Sequence, residues 1–174
     1  GNAELVSIEP ILKLEDTRTS TGIGDKLGRL DFYGNDASAA GTGIKASVKA
    51  VVEDSTGQYV GLAFGTTTNV TPDVERVRID AYGKVGIGTS SPVDNLNIYD
   101  ADDNVGIQLQ TATSGTTASD GFRVGQNNNQ AFLWQYEALP LTVATSGVER
   151  LRIDSSGKVG IGTSSPQAAL DING

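Results

Sequence analysis

The chain has 174 residues and a mass of 18.0 kDa, which suits one ordinary domain or a few small repeated modules. It contains no His, Cys or Met, which excludes Ser-His-Asp and Cys-His catalysis, thiolate zinc sites, haem ligation by His or Met, and disulfides. Its net charge of -8 repels nucleic acid and anionic membranes, and no apolar run approaches the roughly 18 residues that span a bilayer, so we expect neither a nucleic-acid partner nor membrane insertion.

Short strands and hairpins are predicted along the chain, without a helix of useful length. Three β-rich, mostly alternating segments indicate strands: Ile44–Val52, Arg76–Ile79 and Ala131–Tyr136. The Asp-x-x-Gly pattern occurs between strand-like runs at Asp54–Gly57, Asp80–Gly83 and Asp154–Gly157. Asp can bond the turn backbone and Gly can adopt positive φ, so three hairpins are expected.

Two glycine- and proline-containing patterns follow these hairpins. Gly86-Ile-Gly88, repeated at 160–162, lacks the third glycine, the helix and the βαβ unit of a dinucleotide site. Glycines alternating with Val and Ile instead predict a bare strand face against which another backbone can pack, including that of a second chain. Ser91-Pro92, with Asp94 following, resembles a helix N-cap and predicts a single helical turn at each copy.

Candidate ligand-binding residues are few. Asp100–Asn104 has oxygen ligands at calcium-loop spacing, but Val105 replaces the required Gly, so a solvated turn is the alternative and no metal site or cofactor is predicted. Phe132, Trp134 and Tyr136 share one face of their strand beside the polar segment Gln126–Gln130. These aromatics either fill a core or stack on sugar rings. The candidate glycan contacts are Asn127, Asn128, Asn129, Trp134 and Tyr136. A smaller aromatic set, Phe32, Tyr33, Tyr59 and Phe64, has the same ambiguity.

Internal repetition is the strongest feature. Residues 74–92 align with residues 148–166, and only three of the nineteen positions differ. An offset of 74 residues indicates tandem modules. Leu96–Asp100 aligns with residues 170–173 and, more loosely, with Leu12–Asp16. We therefore predict the end of a preceding repeat or a linker at 1–11, modules at 12–95 and 96–169, and the opening strand of a further repeat at 170–174.

These repeats are similar to a known sequence type. Residues 75–92 and their second copy resemble the "ERMRIDSSGNVGIGTTSP" repeats of bacteriophage tail-fibre and related virion fibre proteins. Leu12–Asp16, Gly28–Asp36 and Ile44–Ala50 also resemble segments that precede this repeat in marine phage structural proteins. The resemblance implies an elongated, intertwined homotrimeric β-fibre in a virion or extracellular setting. The fold class expected is thus all-β, built of tandem repeats of short strands and hairpins.

The small, glycine-rich modules independently predict an oligomer, because about 80 residues bury too little surface to be stable alone. The candidates for core and inter-chain contacts are Val77, Ile79, Val85, Ile87, Leu96, Leu151, Ile153, Val159, Ile161 and Leu170.

Three classes of function remain open at this stage. The first is a non-enzymatic shaft or spacer of a phage fibre, with copies of itself, other virion proteins and host-surface polysaccharide as partners. The second is a bacterial appendage or surface adhesin that polymerises head-to-tail into a filament with other appendage proteins. The third is a polysaccharide depolymerase, which needs two carboxylates in a groove and leaves little sequence signature. Glu75 and Glu149 beside Arg76, Arg78, Arg150 and Arg152 are instead expected to form cross-strand charge pairs.

Overall fold

The fold is all-β in the computed structural model, which describes residues 12–35, 42–68 and 73–173. Within those ranges the strands are β1 (Lys26–Asn35), β2 (Thr42–Val52), β3 (Val60–Thr66), β4 (Val74–Ile79), β5 (Val85–Ile87), β6 (Leu96–Ile98), β7 (Asn104–Leu109), β8 (Phe122–Asn127), β9 (Gln130–Gln135), β10 (Leu141–Thr145), β11 (Val148–Ile153), β12 (Val159–Ile161) and β13 (Leu170–Ile172). The predicted all-β class is confirmed. The tandem modules, the elongation and the trimer stay predictions. In the described part of the chain no helix is long and apolar enough to cross a membrane.

The chain divides into two compact units, one ending at Asp100 and the other beginning at Ala101. The first unit contains one six-stranded sheet in the order β1 to β6. The second contains a three-stranded sheet, β7 to β9, and a four-stranded sheet, β10 to β13. Neighbours in each sheet are consecutive in sequence, so every sheet is built from local connections.

The three predicted hairpins are present. They join β2 to β3, β4 to β5, and β11 to β12, each antiparallel. Asp80 Oδ1 accepts hydrogen bonds from the amides of Tyr82 and Lys84, and Asp154 Oδ1 accepts the equivalent pair. The turn glycines have positive φ, 73° at Gly57, 81° at Gly83 and 85° at Gly157, as the Asp-x-x-Gly pattern predicts.

The two copies of the repeat pair their strands in the same register. Val77 pairs with Ile87 and Ile87 with Ile98 in the first copy, while Leu151 pairs with Ile161 and Ile161 with Ile172 in the second. In both, the last pair is parallel and the preceding one antiparallel. An eight-residue crossing, 88–95 or 162–169, makes this parallel return.

The helical turn predicted in that crossing is wrong. Residues 88–95 form bends, in which the Thr89 hydroxyl accepts a hydrogen bond from the Ser91 amide and Asn97 Oδ1 accepts one from the Val93 amide. The Asn95 carbonyl already accepts from the Val85 amide, 2.9 Å away. Within these eight residues the chain must return to the start of β5 so that β6 can pair parallel to it. Strand pairing therefore overrides the local preference for a helical turn.

The bare face of the Gly-x-Gly strand is covered by the chain's own crossing. A Cβ at Gly86 would overlap the Thr89 carbonyl oxygen, and a Cβ at Gly160 would overlap that of Thr163. Gly88, with φ of 76°, is similarly close to the Tyr99 carbonyl oxygen. The close backbone approach that these glycines predict is therefore present within one chain.

Candidate functional site

The outer face of the six-stranded sheet, termed here the apolar face, carries aligned rows of hydrophobic side chains. Register places one residue from each strand in a single row: Leu30, Val48, Phe64, Val77, Ile87 and Ile98. The adjacent row contains Gly28, Ala50, Leu62, Ile79, Val85 and Leu96. Because residues in register project to the same side of a sheet, these rows form one continuous apolar surface.

This apolar face is exposed in the single chain. Leu30 is 46% exposed, Phe64 38% and Leu96 52%. A groove of about 330 Å³ lies along it, lined by Leu14, Leu30, Val48 and Leu62 among others. The buried hydrophobic residues are limited to Val51, Val52 and Ala63 among the described residues. A surface of this kind marks a contact site in a folded protein.

The opposite side, termed the polar face, is the covered one. Ser47, Lys49 and Arg78 are buried there, with 2%, 5% and 7% of their surface exposed. Charged side chains are almost never buried unless they are paired. The sheet thus has the reverse of the usual polarity, since its charges are inside and its hydrophobic residues outside.

Asp73 pairs the cations at one end of the polar face. Its Oδ2 lies 3.1 Å from Lys49 Nζ and 2.8 Å from Arg29 Nη2, and its Oδ1 accepts a hydrogen bond from the Ser47 hydroxyl. Burial opposes ionisation of Asp73, but the Ser47 and Lys49 hydrogen bonds and the two positive charges outweigh it, so its pKa is lowered.

Arg78 holds the other end of the polar face. Its Nε and Nη2 each donate to Glu75 at 2.7 Å, and Nη1 donates to Glu53 Oε1 at 2.8 Å. The second Glu53 oxygen accepts from the Ala81 amide at 2.9 Å. The Glu75 hydrogen bonds, then the Glu53 bond, raise the pKa of Arg78 against the opposing effect of burial.

The charge pairs of the repeat are within one strand, so the cross-strand prediction is wrong. Residues three apart in a regular strand face opposite sides, but a bulge at Arg76 places Glu75 on the side of Arg78. A bulge at Arg150 does the same for Glu149 and Arg152, which are 2.8 Å apart. The displaced arginines donate to threonine hydroxyls instead, Arg76 to Thr66 and Arg150 to Thr145.

The ten residues predicted for core and inter-chain contacts lie on the apolar faces of the two repeat sheets. None is buried within one chain: Val77, Val85, Leu151 and Val159 are half-buried, whereas Ile79, Ile87, Leu96, Ile153, Ile161 and Leu170 are 37–57% exposed. The single chain therefore does not bury these residues as a core. Their aligned, exposed positions leave the inter-chain role as a prediction.

Two of the predicted glycan contacts, Trp134 and Tyr136, form an aromatic row with Phe132, whereas Asn127, Asn128 and Asn129 lie at the turn that joins β8 to β9. Phe132 and Trp134 have ring centroids 5.0 Å apart, Trp134 and Tyr136 6.0 Å, and the Arg123 guanidinium lies 5.2 Å from the Phe132 centroid. Trp134 is 51% exposed, while Phe132 and Tyr136 are half-buried. Tyr136 follows the end of β9 by one residue.

The predicted polar loop 126–130 is shorter than expected. Asn127 pairs with Gln130 across the hairpin, so only Asn128 and Asn129 form the turn, with φ of 46° and 64°. Two consecutive positive φ values define a type I′ hairpin turn, which favours Asn. Turn geometry accounts for Asn128 and Asn129 without a ligand, whereas Asn127 lies on the same sheet face as Trp134.

The acidic segment at 100–104 forms the turn between β6 and β7. Asp103 has a φ of 56°, and Asn104 Oδ1 accepts a hydrogen bond from Arg123 Nη2 at 2.8 Å. Across the described residues no group of three acidic side chains is arranged to hold a metal ion.

An aromatic pair that was not predicted from the sequence lies at the turn end of the first unit, which is the end that carries the hairpin turns 54–57 and 80–83. Tyr59 and Tyr82 have ring centroids 5.4 Å apart, and they line a cleft of about 560 Å³. The available signal was Tyr82 itself, since it is one of the three positions at which the two repeat copies differ. Its partner, Tyr59, is distant in sequence and gives no such signal.

No protein-family model matches this chain, and no curated protein matches it.

Proposed function

We propose that this protein is a structural and adhesive fibre component, a shaft or spacer segment of a phage tail or virion fibre, whose copies associate through their apolar faces. The observation that carries the proposal is the reversed polarity of the six-stranded sheet. Covering exposed rows of Leu, Ile, Val and Phe removes apolar surface from water, so a chain with this arrangement is stabilised by a partner that packs on those rows.

A second copy of the same chain suits the apolar face well. The rows are continuous across all six strands, and the second repeat carries an equivalent row of Val143, Leu151, Ile161 and Ile172. Three such sheets arranged around an axis place every apolar face inward and every polar face outward. The similarity of residues 75–92 to phage fibre repeats supports a homotrimer over other closed assemblies. In this proposal the chain catalyses no reaction. The fibre contacts other virion proteins, and the fibre acts outside the cell.

The test is the mass of the purified 174-residue chain by light scattering at several concentrations, together with its migration in SDS without boiling. A single species near three times 18.0 kDa is the expected result. A monomer at all concentrations would overturn the assembly.

A head-to-tail appendage polymer is the second candidate, and the strand edges favour it. In the described residues β6 and β13 are three-residue strands at the edges of their sheets, with unpaired backbone groups on one side. Strand addition between subunits would use these edges. Growth into long assemblies with rising concentration, in place of a fixed trimer, would select this candidate.

Contact with host-surface polysaccharide is the adhesive part of the proposal. The Phe132, Trp134 and Tyr136 row offers exposed ring surface on one side of the three-stranded sheet, next to Asn127. A Trp134→Ala variant that assembles normally is expected to lose the binding of host polysaccharide to the three-stranded sheet.

A further inference from the structure

The cleft at the turn end of the first unit combines aromatic and carboxylate groups. It is lined by Glu53, Asp54, Tyr59, Asp80, Tyr82 and Ser91, among other residues, and has a volume of about 560 Å³. That volume lies within the range of about 300–1,000 Å³ that small-ligand sites occupy. The cleft lies within the first unit, so it is complete in one chain.

The two tyrosine rings present accessible apolar surface in this cleft. Their planes are inclined by 33°, and Tyr59 and Tyr82 are 44% and 73% exposed. Proximity of the Tyr59 phenol, followed by desolvation and a hydrogen bond to Tyr59, raises the pKa of Tyr82, so the Tyr82 hydroxyl is neutral at pH 7. Neutral phenols can donate and accept hydrogen bonds while their rings stack.

The repeat comparison shows that Tyr82 is not needed for the turn that holds it. The second copy has Ser156 at this position, and its turn makes the same hydrogen bond, Asp154 Oδ1 to the Lys158 amide at 2.9 Å against 2.8 Å for Asp80 and Lys84. Leu62 and Leu141 occupy equivalent positions in the two copies, and counting back three residues from each places Ala138 at the position of Tyr59. The aromatic pair is therefore an addition to a scaffold that folds without it.

The charges of the cleft indicate which ligands it accepts. Glu53, Asp54 and Asp80 contribute three carboxylates, and among the described residues that line the cleft the one cation is Arg78, which Glu53 and Glu75 already bind. Carboxylates accept hydrogen bonds from hydroxyl groups and repel anions. Uronic acids and other acidic sugars are thus disfavoured, whereas neutral sugars meet both the rings and the acceptors.

Assembly through the apolar face would leave this cleft open. Arg78, which contributes to its lining, projects from the polar face, on the side opposite to the rows of Leu, Ile and Phe. Packing of the apolar faces therefore does not require the cleft to close.

We propose that this cleft binds a neutral hexose unit of a surface polysaccharide, with the Tyr59 and Tyr82 rings against its C–H surface and Asp54 and Asp80 accepting its hydroxyl protons in hydrogen bonds. The inference deepens the adhesive part of the proposed function and rests on it. It adds a saccharide site in the first unit that is separate from the aromatic row of the three-stranded sheet.

Affinity electrophoresis tests the site with defined probes. The full chain is run through native gels containing mannan, dextran or laminarin as neutral polysaccharides, and alginate or polygalacturonate as acidic ones. Retardation by at least one neutral polysaccharide and by neither acidic one is expected. Tyr82→Ser, which installs the residue of the second copy, is expected to weaken that binding at least tenfold, as is Tyr59→Ala.

Tyr99→Ser is the matched control, because Tyr99 is a 57% exposed tyrosine of the first unit that is not among the residues lining the cleft. It is expected to retain binding at the cleft. The inference is overturned if none of the neutral polysaccharides retards the wild-type chain, or if Tyr82→Ser and Tyr59→Ala bind as the wild type does. Light scattering on the same samples reports assembly separately, so loss of the saccharide site and failure of the fibre proposal are distinguishable.

Discussion

Asp73 is the residue that pairs two cations of the polar face, Lys49 and Arg29. Its carboxylate lies between Lys49 and Arg29 and is bonded by Ser47. Its lowered pKa means that the ionised form stabilises the fold above the unfolded value of about 4, and that this contribution is lost as pH falls through the folded pKa.

Asp73→Asn is therefore expected to lower the free energy of unfolding by about 2 kcal/mol at pH 7, because charge-assisted hydrogen bonds are lost. The difference from wild type should be smaller at about pH 3, because the contribution of the ionised carboxylate is lost progressively as pH falls below the unfolded pKa and towards the lowered folded pKa. Urea denaturation at one fixed chain concentration, at both pH values, measures this. An equal penalty at the two pH values would contradict it.

Gly88 provides a second prediction at the scale of one residue. Gly88→Ala must place a Cβ at positive φ and against the Tyr99 carbonyl oxygen, whereas Gly83→Ala meets open space at a similar φ. The unfavourable φ alone costs about 1–2 kcal/mol. Thermal unfolding should show that Gly88→Ala loses at least twice as much stability as Gly83→Ala. Equal losses would indicate that the crossing adjusts freely.

The bulged strand is the element that distinguishes the two repeat copies energetically. Arg78 is buried and bonded to two carboxylates, whereas Arg152 is half-buried and, within the described residues, bonded to Glu149 alone. Removing one partner of a buried ion pair leaves an uncompensated charge, while an accessible pair contributes little.

Arg78→Met is accordingly expected to destabilise the chain by about 3 kcal/mol, and Arg152→Met by much less. Chemical denaturation of both variants at one chain concentration provides the comparison. Similar losses would show that burial on the polar face does not separate the two copies.

The strands and turns could be predicted from the sequence because their signals are local. Alternating β-branched residues marked β2 and β4, and Asp-x-x-Gly marked the hairpins. The bulges at Arg76 and Arg150 were not predictable, since a bulge depends on the partner strand. The Ser91-Pro92 signal failed because the short parallel return overrides a local helix preference.

The candidate site was only partly accessible to sequence reasoning. Val77, Ile79, Val85 and Ile87 were predicted to make core and inter-chain contacts, and the strand register places them on a common face. Alternation could not show that the chain covers the other face, because coverage depends on where Asp73, Glu53 and the crossing 88–95 come to lie. Tyr59 and Tyr82 approach each other only through the pairing of β3 with β4.

At the scale of the whole molecule, the proposed assembly depends on the centre of the apolar rows. Ile87 and Ile161 occupy equivalent positions in the two copies and are each 40% exposed. Ile87→Asp or Ile161→Asp would bury a carboxylate against apolar partners in the assembled state, at a cost that association cannot offset.

Light scattering of either variant is expected to show monomer, or aggregate without a defined mass, in place of the wild-type oligomer. Leu139→Asp serves as a control, since Leu139 is a 59% exposed apolar residue outside the strands and should leave assembly intact. An Ile87→Asp or Ile161→Asp chain that remains fully assembled would contradict the proposed interface.

The sequential strand order has a kinetic consequence. Because each strand pairs with its neighbour in sequence, a sheet can form by short loop closures alone, and such topologies fold rapidly. Encounter between chains is slower and depends on their concentration. In the proposed assembly, newly made chains would thus fold before they associate, and their apolar faces would stay exposed in the meantime. The yield of oligomer would then depend on the relative rates of correct association and of aggregation. Dilution, crowding and the presence of a neighbouring nascent chain would change that ratio.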